Sequence, residues 1–348
     1  MEVSVVIPVK NGLPFIEECL QSLYNQTFQG TWEICVYSDG STDNTVACAK
    51  KWIPSFALRG VEMRIKEDSE SRGVGYAKNR AAEMARGRFL CFCDADDLSD
   101  PSRIEEQYDL ANSFPEESFV FIGCNFRRLP EGSTERYTKW ANSLTTDQLR
   151  TQIFTSHGPT LIAPSWFISQ KLYKMLGGFK EDIRQGFPED LEFFYRALGI
   201  SNVKFSKVDS QLVTYRYHSG CASFAVPEET IWNMRVDRFR AKILPLWETF
   251  TIWNAGKQGK RLFKSLTIDE KRRVASFCDV DEKKVKRAVF EEFDDASRSV
   301  TCRIPIVHVR DARPPLVICV KLDMTGGDLE RLVAESGWIE GRDYIHFS

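Results

Sequence analysis

No run in this 348-residue chain approaches the roughly 18 apolar residues a helix needs to cross a bilayer, so no membrane span is expected. The opening Val3-Ser4-Val5-Val6-Ile7-Pro8-Val9 has neither a basic lead-in nor a small-residue cleavage site. It reads as a short β-branched strand and not as a signal peptide. Ten cysteines are scattered, several inside apolar strands (Cys35, Cys91, Cys93, Cys319), and no C-x-x-C pair has zinc spacing. Reduced core thiols of a cytoplasmic protein are therefore expected. A net charge of −2, from 47 basic and 49 acidic residues, excludes a uniformly polyelectrolyte protein. Repeats and low-complexity tracts are also missing, and only four histidines occur.

What is present is alternation. Strand patterns at Val3–Val9, Glu33–Tyr37, Val61–Ile65 and Phe89–Cys93 are separated by helix patterns at Pro14–Asn25, Asn44–Trp52 and Tyr76–Met84. Such alternation implies parallel βαβ units with right-handed crossovers and an α/β fold. Ligands of these sheets sit beyond the carboxyl ends of the strands. Three of those ends carry polar clusters: Lys10-Asn11-Gly12, Ser38 to Asp43, and Asp94-Ala95-Asp96-Asp97. They are expected to share one crevice.

The third cluster organises the chain. Neighbouring carboxylates at a strand tip repel unless a cation lies between them, and oxygen-only ligands favour Mg²⁺ or Mn²⁺ over zinc. An acidic turn with no ligand is the plainer alternative. Asp39, directly at a strand end, can accept from a pyrimidine N3–H or a ribose hydroxyl, while Gly40, Ser41 and Thr42 fit a tight turn and helix cap. Ser71-Arg72-Gly73-Val74-Gly75 opens a helix whose N–H groups, with Arg72 and Lys78 nearby, suit a diphosphate.

After a strand from Ser118 to Cys124, the polar stretch 127–150 has no readable periodicity. His157-Gly158-Pro159-Thr160 is a candidate acceptor-side loop. Lys171–Met175 followed by two glycines reads as a short capped helix. Gly186-Phe187-Pro188-Glu189-Asp190 starts another, with acids that offset the helix dipole or supply a general base. Asp190 is the choice, with Glu189 beside it. His218, ending a strand from Gln211, is either structural or a third ligand for metal or phosphate.

A helix over 226–244 leads to a fresh α/β pattern, with strands at Thr249–Trp253, Val274–Phe277 and Val317–Val320. The expected organisation is a domain over 1–225, a connecting helix over 226–248, and a small Rossmann-like domain over 249–348. Asn254 occupies the first glycine position of a degenerate dinucleotide fingerprint, which argues against bound NAD. From Asn254 to Arg287, eleven Lys or Arg face five acids. A solvated helix face or a large anionic acceptor would explain the excess.

Val6-Ile7-Pro8-Val9-Lys10-Asn11-Gly12, Ser38-Asp39-Gly40-Ser41-Thr42-Asp43, Ala77-Lys78-Asn79-Arg80-Ala81, Asp94-Ala95-Asp96-Asp97, Glu189-Asp190 and Arg216-Tyr217-His218 occur in this order. Together they resemble the family-2 glycosyltransferases of the GT-A fold. The resemblance implies an inverting transferase using a UDP-sugar and Mn²⁺ or Mg²⁺. It implies that Pro8, Val9, Asn11, Asp39, Arg72, Lys78, Asp94, Ala95 and Asp96 line the donor, with Asp39 on the base and Asp94 on the ribose. Asp96, with Asp97 and His218, would hold metal and diphosphate, and Asp190 would take the acceptor proton. Ser38 stands where the family usually has an acid, and Lys78 where it usually has arginine, which keeps the charge without the bidentate fork.

The whole-chain pattern is similar to animal members associated with galactosylating queuosine in tRNA. That implies UDP-galactose as donor, the queuosine cyclopentene hydroxyl of a tRNA-Tyr-class tRNA as acceptor, and Lys257, Lys260, Arg261 and Lys264 gripping the tRNA backbone. Alternatives are transfer of GlcNAc or another sugar to a glycan or protein, a non-catalytic nucleotide-sugar or RNA-binding module, and a nucleotidyltransferase, which would release pyrophosphate.

Overall fold

The computed structural model describes residues 1–182, 185–294 and 298–348. The chain divides into two compact units, residues 1–150 with 157–231, and residues 151–156 with 232–348.

In the first unit the strands are β1 (Val3–Val9), β2 (Trp32–Asp39), β3 (Glu62–Asp68), β4 (Phe89–Phe92), β5 (Leu98–Ser99), β6 (Phe119–Leu129), β7 (Phe167–Ser169) and β8 (Val203–Arg216). They form one sheet in the order β3-β2-β1-β4-β7-β6-β8-β5. The first four are parallel, with Val3 opposite both Trp32 and Phe89. β7 runs antiparallel to β4 and β6, and β8 parallel to β6. β1, β2 and β4 are buried along their whole length, which is why they read as unbroken apolar runs.

Its helices are α1 (Phe15–Tyr24), α2 (Thr45–Lys50), α3 (Ile53–Leu58), α4 (Val74–Glu83), α5 (Arg103–Asn112), α6 (Glu135–Ser143), α7 (Gln148–Thr151), α8 (Gln170–Leu176) and α9 (Glu189–Ala197), while α10 (Glu228–Lys242) lies mostly in the second unit, from residue 232 on. α1 buries Ile16, Cys19, Leu20 and Leu23, the i, i+3, i+4, i+7 stripe of an amphipathic helix. Full burial of either leucine contributes about 1.5–3 kcal/mol.

Local departures from the sequence reading have physical causes. The helix expected over Asn44–Trp52 ends at Lys50. A second begins at Ile53, where Pro54 lies in a first turn that has no use for its missing N–H. The third strand extends to Asp68, and Pro188 caps α9 from outside. α8 ends in Gly177 at φ +71°, the left-handed cap its sequence announces.

The second unit is a smaller α/β unit with β9 (Phe250–Trp253), α11 (Lys257–Ser265), α12 (Ile268–Lys271), β10 (Val274–Asp279), α13 (Glu282–Val285), β11 (Val289–Asp294), β12 (Ser299–His308), β13 (Leu316–Ile318), α14 (Asp328–Ser336) and β14 (Tyr344–His346). Its sheet order is β11-β12-β10-β9-β13-β14, and only the β11–β12 pairing is antiparallel. Its first crossover needs Gly259: a Cβ there would stand 2.0 Å from the Asn254 carbonyl oxygen. Among the described residues no helix is long and apolar enough to cross a membrane.

Candidate active site

The parallel register brings the ends of β1, β2 and β4 to one edge of the first unit's sheet. The first two polar clusters are stitched together. Pro8 and Val9 end β1 opposite Tyr37 and Ser38. Asn11, at φ +49°, donates its N–H to Ser41 Oγ (3.0 Å) and accepts the Thr42 N–H on Oδ1 (2.8 Å). Gly12 donates to Thr45 Oγ1 at 2.7 Å. Gly40 has φ +66°, and a Cβ there would lie 2.5 Å from the Ser71 nitrogen, so the β2 turn packs directly on the loop before α4.

Asp39 fastens that contact. Its carboxylate accepts from Ser71 Oγ (2.7 Å), Arg72 N–H (2.8 Å) and Gly73 N–H (2.9 Å). Both oxygens are thus engaged by the loop. Arg72 is exposed and lies over the Tyr76 ring, 5.0 Å from its centroid.

The carboxylates follow β4. Asp94 and Asp96 are half-buried, whereas Ala95 and Asp97 are buried. One oxygen each from Asp94, Asp96 and Asp97 falls within 4.8 Å of the others. Burial and the charges of Asp96 and Glu189 push Asp94 up to about 6, against the pull of Lys78 and Arg103. Burial, then Asp96 and Asp94, raise Asp97 well above the usual carboxylate range. Asp97 Oδ1 accepts the Arg216 N–H at 2.8 Å, but Oδ2 is buried with no partner. Clustered, mutually repelling carboxylates with an unsatisfied buried oxygen fit a divalent cation as the missing counter-charge.

His218 approaches from beyond β8, its Nε2 2.9 Å from Asp96 Oδ2. Nδ1 accepts the Gly220 N–H at 3.2 Å, which assigns the ring proton to Nε2 and makes it a donor to Asp96. The ring leans on Phe15, with centroids 4.8 Å apart.

α9 supplies the third group. Lys78 on α4, 4% exposed, reaches Glu189 Oε1 at 2.8 Å. Burial would pull the Lys78 ammonium down, but Glu189, Asp94 and Asp190 outweigh it and hold it above the ordinary lysine value. Asp190 accepts its neighbour Leu191 N–H on Oδ1 (2.7 Å), which leaves Oδ2 for a proton. Burial and the Glu189 charge raise Asp190 to about 7, with Lys78 opposing and Asp94 adding to the rise. Asp94, Lys78, Glu189 and Asp190 therefore belong to one electrostatic cluster. A carboxylate at such a value matches general-base work near neutrality.

Three supporting residues carry no readable sequence signal. Arg103, 1% exposed, donates to the carbonyls of Phe92 (2.6 Å) and Pro164 (2.7 Å) and to Ser99 Oγ (3.1 Å), fixing both ends of the acidic loop. Arg128 lies 3.9 Å from the centroid of Tyr215, whose hydroxyl is raised by burial and then by the charges of Asp97 and Asp94. Burial raises the hydroxyl of Tyr137 on α6 to about 12, with Arg128 opposing and the Asp190 charge adding to the rise. His157 is exposed in the segment between α7 and β7.

In the second unit, Lys257 and Lys264 on α11 are exposed. Lys260 lies over Phe290 (5.3 Å) and Arg261 over Trp232 (4.0 Å). Several other cations of the basic run are spent internally: Lys271 pairs with Glu292, Arg272 with Asp269, Lys284 with Asp279 and Lys286 with Glu282. A cleft of about 200 Å³ is lined by Lys260, Lys284, Arg287, Phe290 and Glu291 among others. The dinucleotide-like turn is closed by its own side chains. Asn254 Oδ1 accepts the Gly256 N–H (2.7 Å), and Asp279 accepts that of Ala255 (3.0 Å).

The fold is that of the GT-A glycosyltransferases, with a second α/β unit following. It is similar to Staphylococcus aureus TarS, with a TM-score of 0.53 at 18% identity over 78% of this chain and 43% of that one. The 1–349 portion of TarS, solved in complex with UDP-GlcNAc, gives a TM-score of 0.51 at 18% identity, over 78% of this chain and 72% of that one. Residues 4–177 match the family described as Glycosyl transferase family 2, and the chain belongs to it. An uncharacterized glycosyltransferase of Rickettsia typhi is 28% identical over 209 residues, 58% of this chain and 60% of its own. The Escherichia coli protein YibD, also described as an uncharacterized glycosyltransferase, is 32% identical over 169 residues, 47% of this chain and 42% of its own. The matches thus span about three fifths or less of these two relatives.

Proposed function

We propose that the protein is an inverting, divalent-cation-assisted glycosyltransferase that moves a hexose from a UDP-sugar to an acceptor hydroxyl. The observation that carries this reading is the electrostatic cluster joining Asp94 of the acidic loop to Lys78, Glu189 and Asp190. A diphosphate-binding group and a general base of suitable proton affinity thereby flank one place.

Asp94, Asp96 and Asp97, with His218, would hold the cation. When bound, it supplies positive charge to the departing diphosphate. The acceptor oxygen bonds to the anomeric carbon on the face opposite the diphosphate, the carbon–oxygen bond to UDP breaks, and the hydroxyl proton passes to Asp190 Oδ2. Lys78, kept charged by Glu189, counters the negative charge gathered at the loop. Pro8, Val9, Asn11, Asp39, Arg72 and Ala95 form the nucleoside side, where Asp39 acts by fixing the 71–73 loop as well as by any contact with the base.

The finer reading is that UDP-galactose is the donor and the queuosine cyclopentene hydroxyl of tRNA the acceptor. It rests on the whole-chain resemblance. The exposed Lys257 and Lys264 and the cationic cleft of the second unit suit a phosphate backbone. His157 is kept as an acceptor contact. Incubation with a panel of UDP-sugars and total tRNA, followed by nucleoside mass analysis, tests donor and acceptor together. A hexose added to queuosine from UDP-galactose is expected. Transfer only to saccharide or protein acceptors overturns the tRNA reading. Replacing Lys257 and Lys264 by glutamate should weaken tRNA binding and flatten its salt dependence, since both are exposed. Unchanged binding removes α11 from the interface.

A further inference from the structure

The acidic loop has a sulfur neighbour. Donor atoms of Asp96, His218 and Cys221 lie within 4.8 Å of one another, and Asp96 is shared with the Asp94–Asp96–Asp97 set. Cys221 is half-buried and held in the turn after β8: the His218 N–H points to its sulfur at 3.4 Å, and the sulfur stands 3.9 Å from the Arg216 carbonyl oxygen. A second observation points independently to a cation here. Asp97, 1% exposed, leaves Oδ2 unpartnered, and one of its oxygens lies within 4.8 Å of an Asp96 oxygen.

The geometry is close to what a mixed-donor ion needs. Metal–sulfur bonds of about 2.3 Å and metal–nitrogen or –oxygen bonds of about 2.0–2.2 Å give tetrahedral edges of roughly 3.3–3.7 Å. The Asp96–His218 edge is 2.9 Å and the edges to sulfur fall within 4.8 Å, so shifts of about 1 Å or less complete the set. Ring and sulfur ride on the same turn, and ligation through Nε2 moves the ring proton to Nδ1 and gives up the Gly220 contact. Mg²⁺ takes oxygen ligands and gains nothing from a thiolate; softer Zn²⁺ and Co²⁺ do.

We propose that Cys221 is a thiolate ligand of the cation site, so that this site prefers thiophilic divalent ions to Mg²⁺. The inference rests on the cation reading above. On binding, the Cys221 S–H bond breaks, its proton goes to solvent, a metal–sulfur bond forms, and no group changes oxidation state.

The test uses the full chain, stripped with chelator and titrated with Co²⁺, beside Cys221→Ser and Asp96→Asn. Wild type is expected to show a near-ultraviolet sulfur-to-cobalt charge-transfer band. Cys221→Ser should bind Co²⁺ at least about tenfold more weakly and without the band. Calorimetry in two buffers should find one more proton released per ion by wild type than by Cys221→Ser. Co²⁺ bound equally well by both proteins without the band overturns the role of Cys221 and leaves the cation reading standing. A band that survives in Asp96→Asn places the sulfur contact elsewhere and also overturns it. No divalent ion bound at all, with or without UDP, overturns both.

Discussion

Replacing Asp190 by asparagine should make the protein more stable and nearly inactive, with the stability gain depending on pH in a defined sense. Its carboxyl is raised from 3.8 to about 7, chiefly by burial and then by the Glu189 charge. The folded state therefore prefers the protonated form. Between about pH 4 and 7 it binds more protons at this site than the unfolded chain does, so wild-type stability declines as pH rises through that window. The rise from 3.8 to about 7 corresponds to an upper figure of about 4 kcal/mol, and roughly half survives if solvent relaxes around the half-buried group. Asparagine cannot ionise, so Asp190→Asn should gain about 2–4 kcal/mol at pH 8 and almost nothing at pH 4. Urea unfolding at both pH values, with chelator present, reads this directly. Turnover should fall about 10²–10⁴-fold at pH 8, and the gap to wild type should narrow below about pH 7 as Asp190 itself becomes protonated. Equal stability of the two proteins at pH 8, or the same gain at pH 4, would refute the account of Asp190 as a desolvated base.

In wild type, kcat/KM should drop about tenfold per pH unit below about 7, because Asp190 must be ionised to take a proton; a rate independent of pH between 5 and 8 contradicts this. Lys78→Met alone strands Glu189 and should destabilise the fold by about 3–5 kcal/mol, whereas Lys78→Met with Glu189→Gln should recover most of it; calorimetric melting of both variants checks the pair. Arg103→Met leaves the Phe92 and Pro164 carbonyls without their donor and should cost about 3 kcal/mol or more in urea unfolding. Chelator should abolish transfer, and Mn²⁺ or Mg²⁺ should restore it.

Much of the first half is legible because burial and periodicity agree there. β1, β2 and β4 are covered on both faces, so each is an apolar run that stops where the sheet stops, and the polar residues beyond are the ones left at the edge. β8 is legible only from Gln211, although it begins at Val203. Lys204, Ser206, Lys207 and Asp209 break the apolar pattern, and pairing with β6 has to shift between Cys124 and Phe126. α6 hides in a polar stretch because it fully buries Ala141 alone and only half-buries Tyr137 and Trp140, and β11 with β12 is hidden by exposed polar and charged residues such as the paired Glu291 and Arg303. The acidic loop and Asp190 stand out by residue type. Their shared environment depends on Lys78 bridging α4 to α9 across 111 residues of chain, which no local pattern records. Asp39 shows the same limit: its place at a strand end is readable, but its three loop donors are not.

The central claim is that the β4 carboxylates tether a cation-bound sugar nucleotide within reach of Asp190. The most direct measurement is equilibrium binding of UDP with Mn²⁺, alongside turnover, in Asp96→Ala and Asp190→Asn. Cation-dependent UDP binding should be lost in the first and kept in the second, with turnover lost in both. UDP binding that ignores Asp96→Ala, or near-normal turnover by Asp190→Asn, contradicts it.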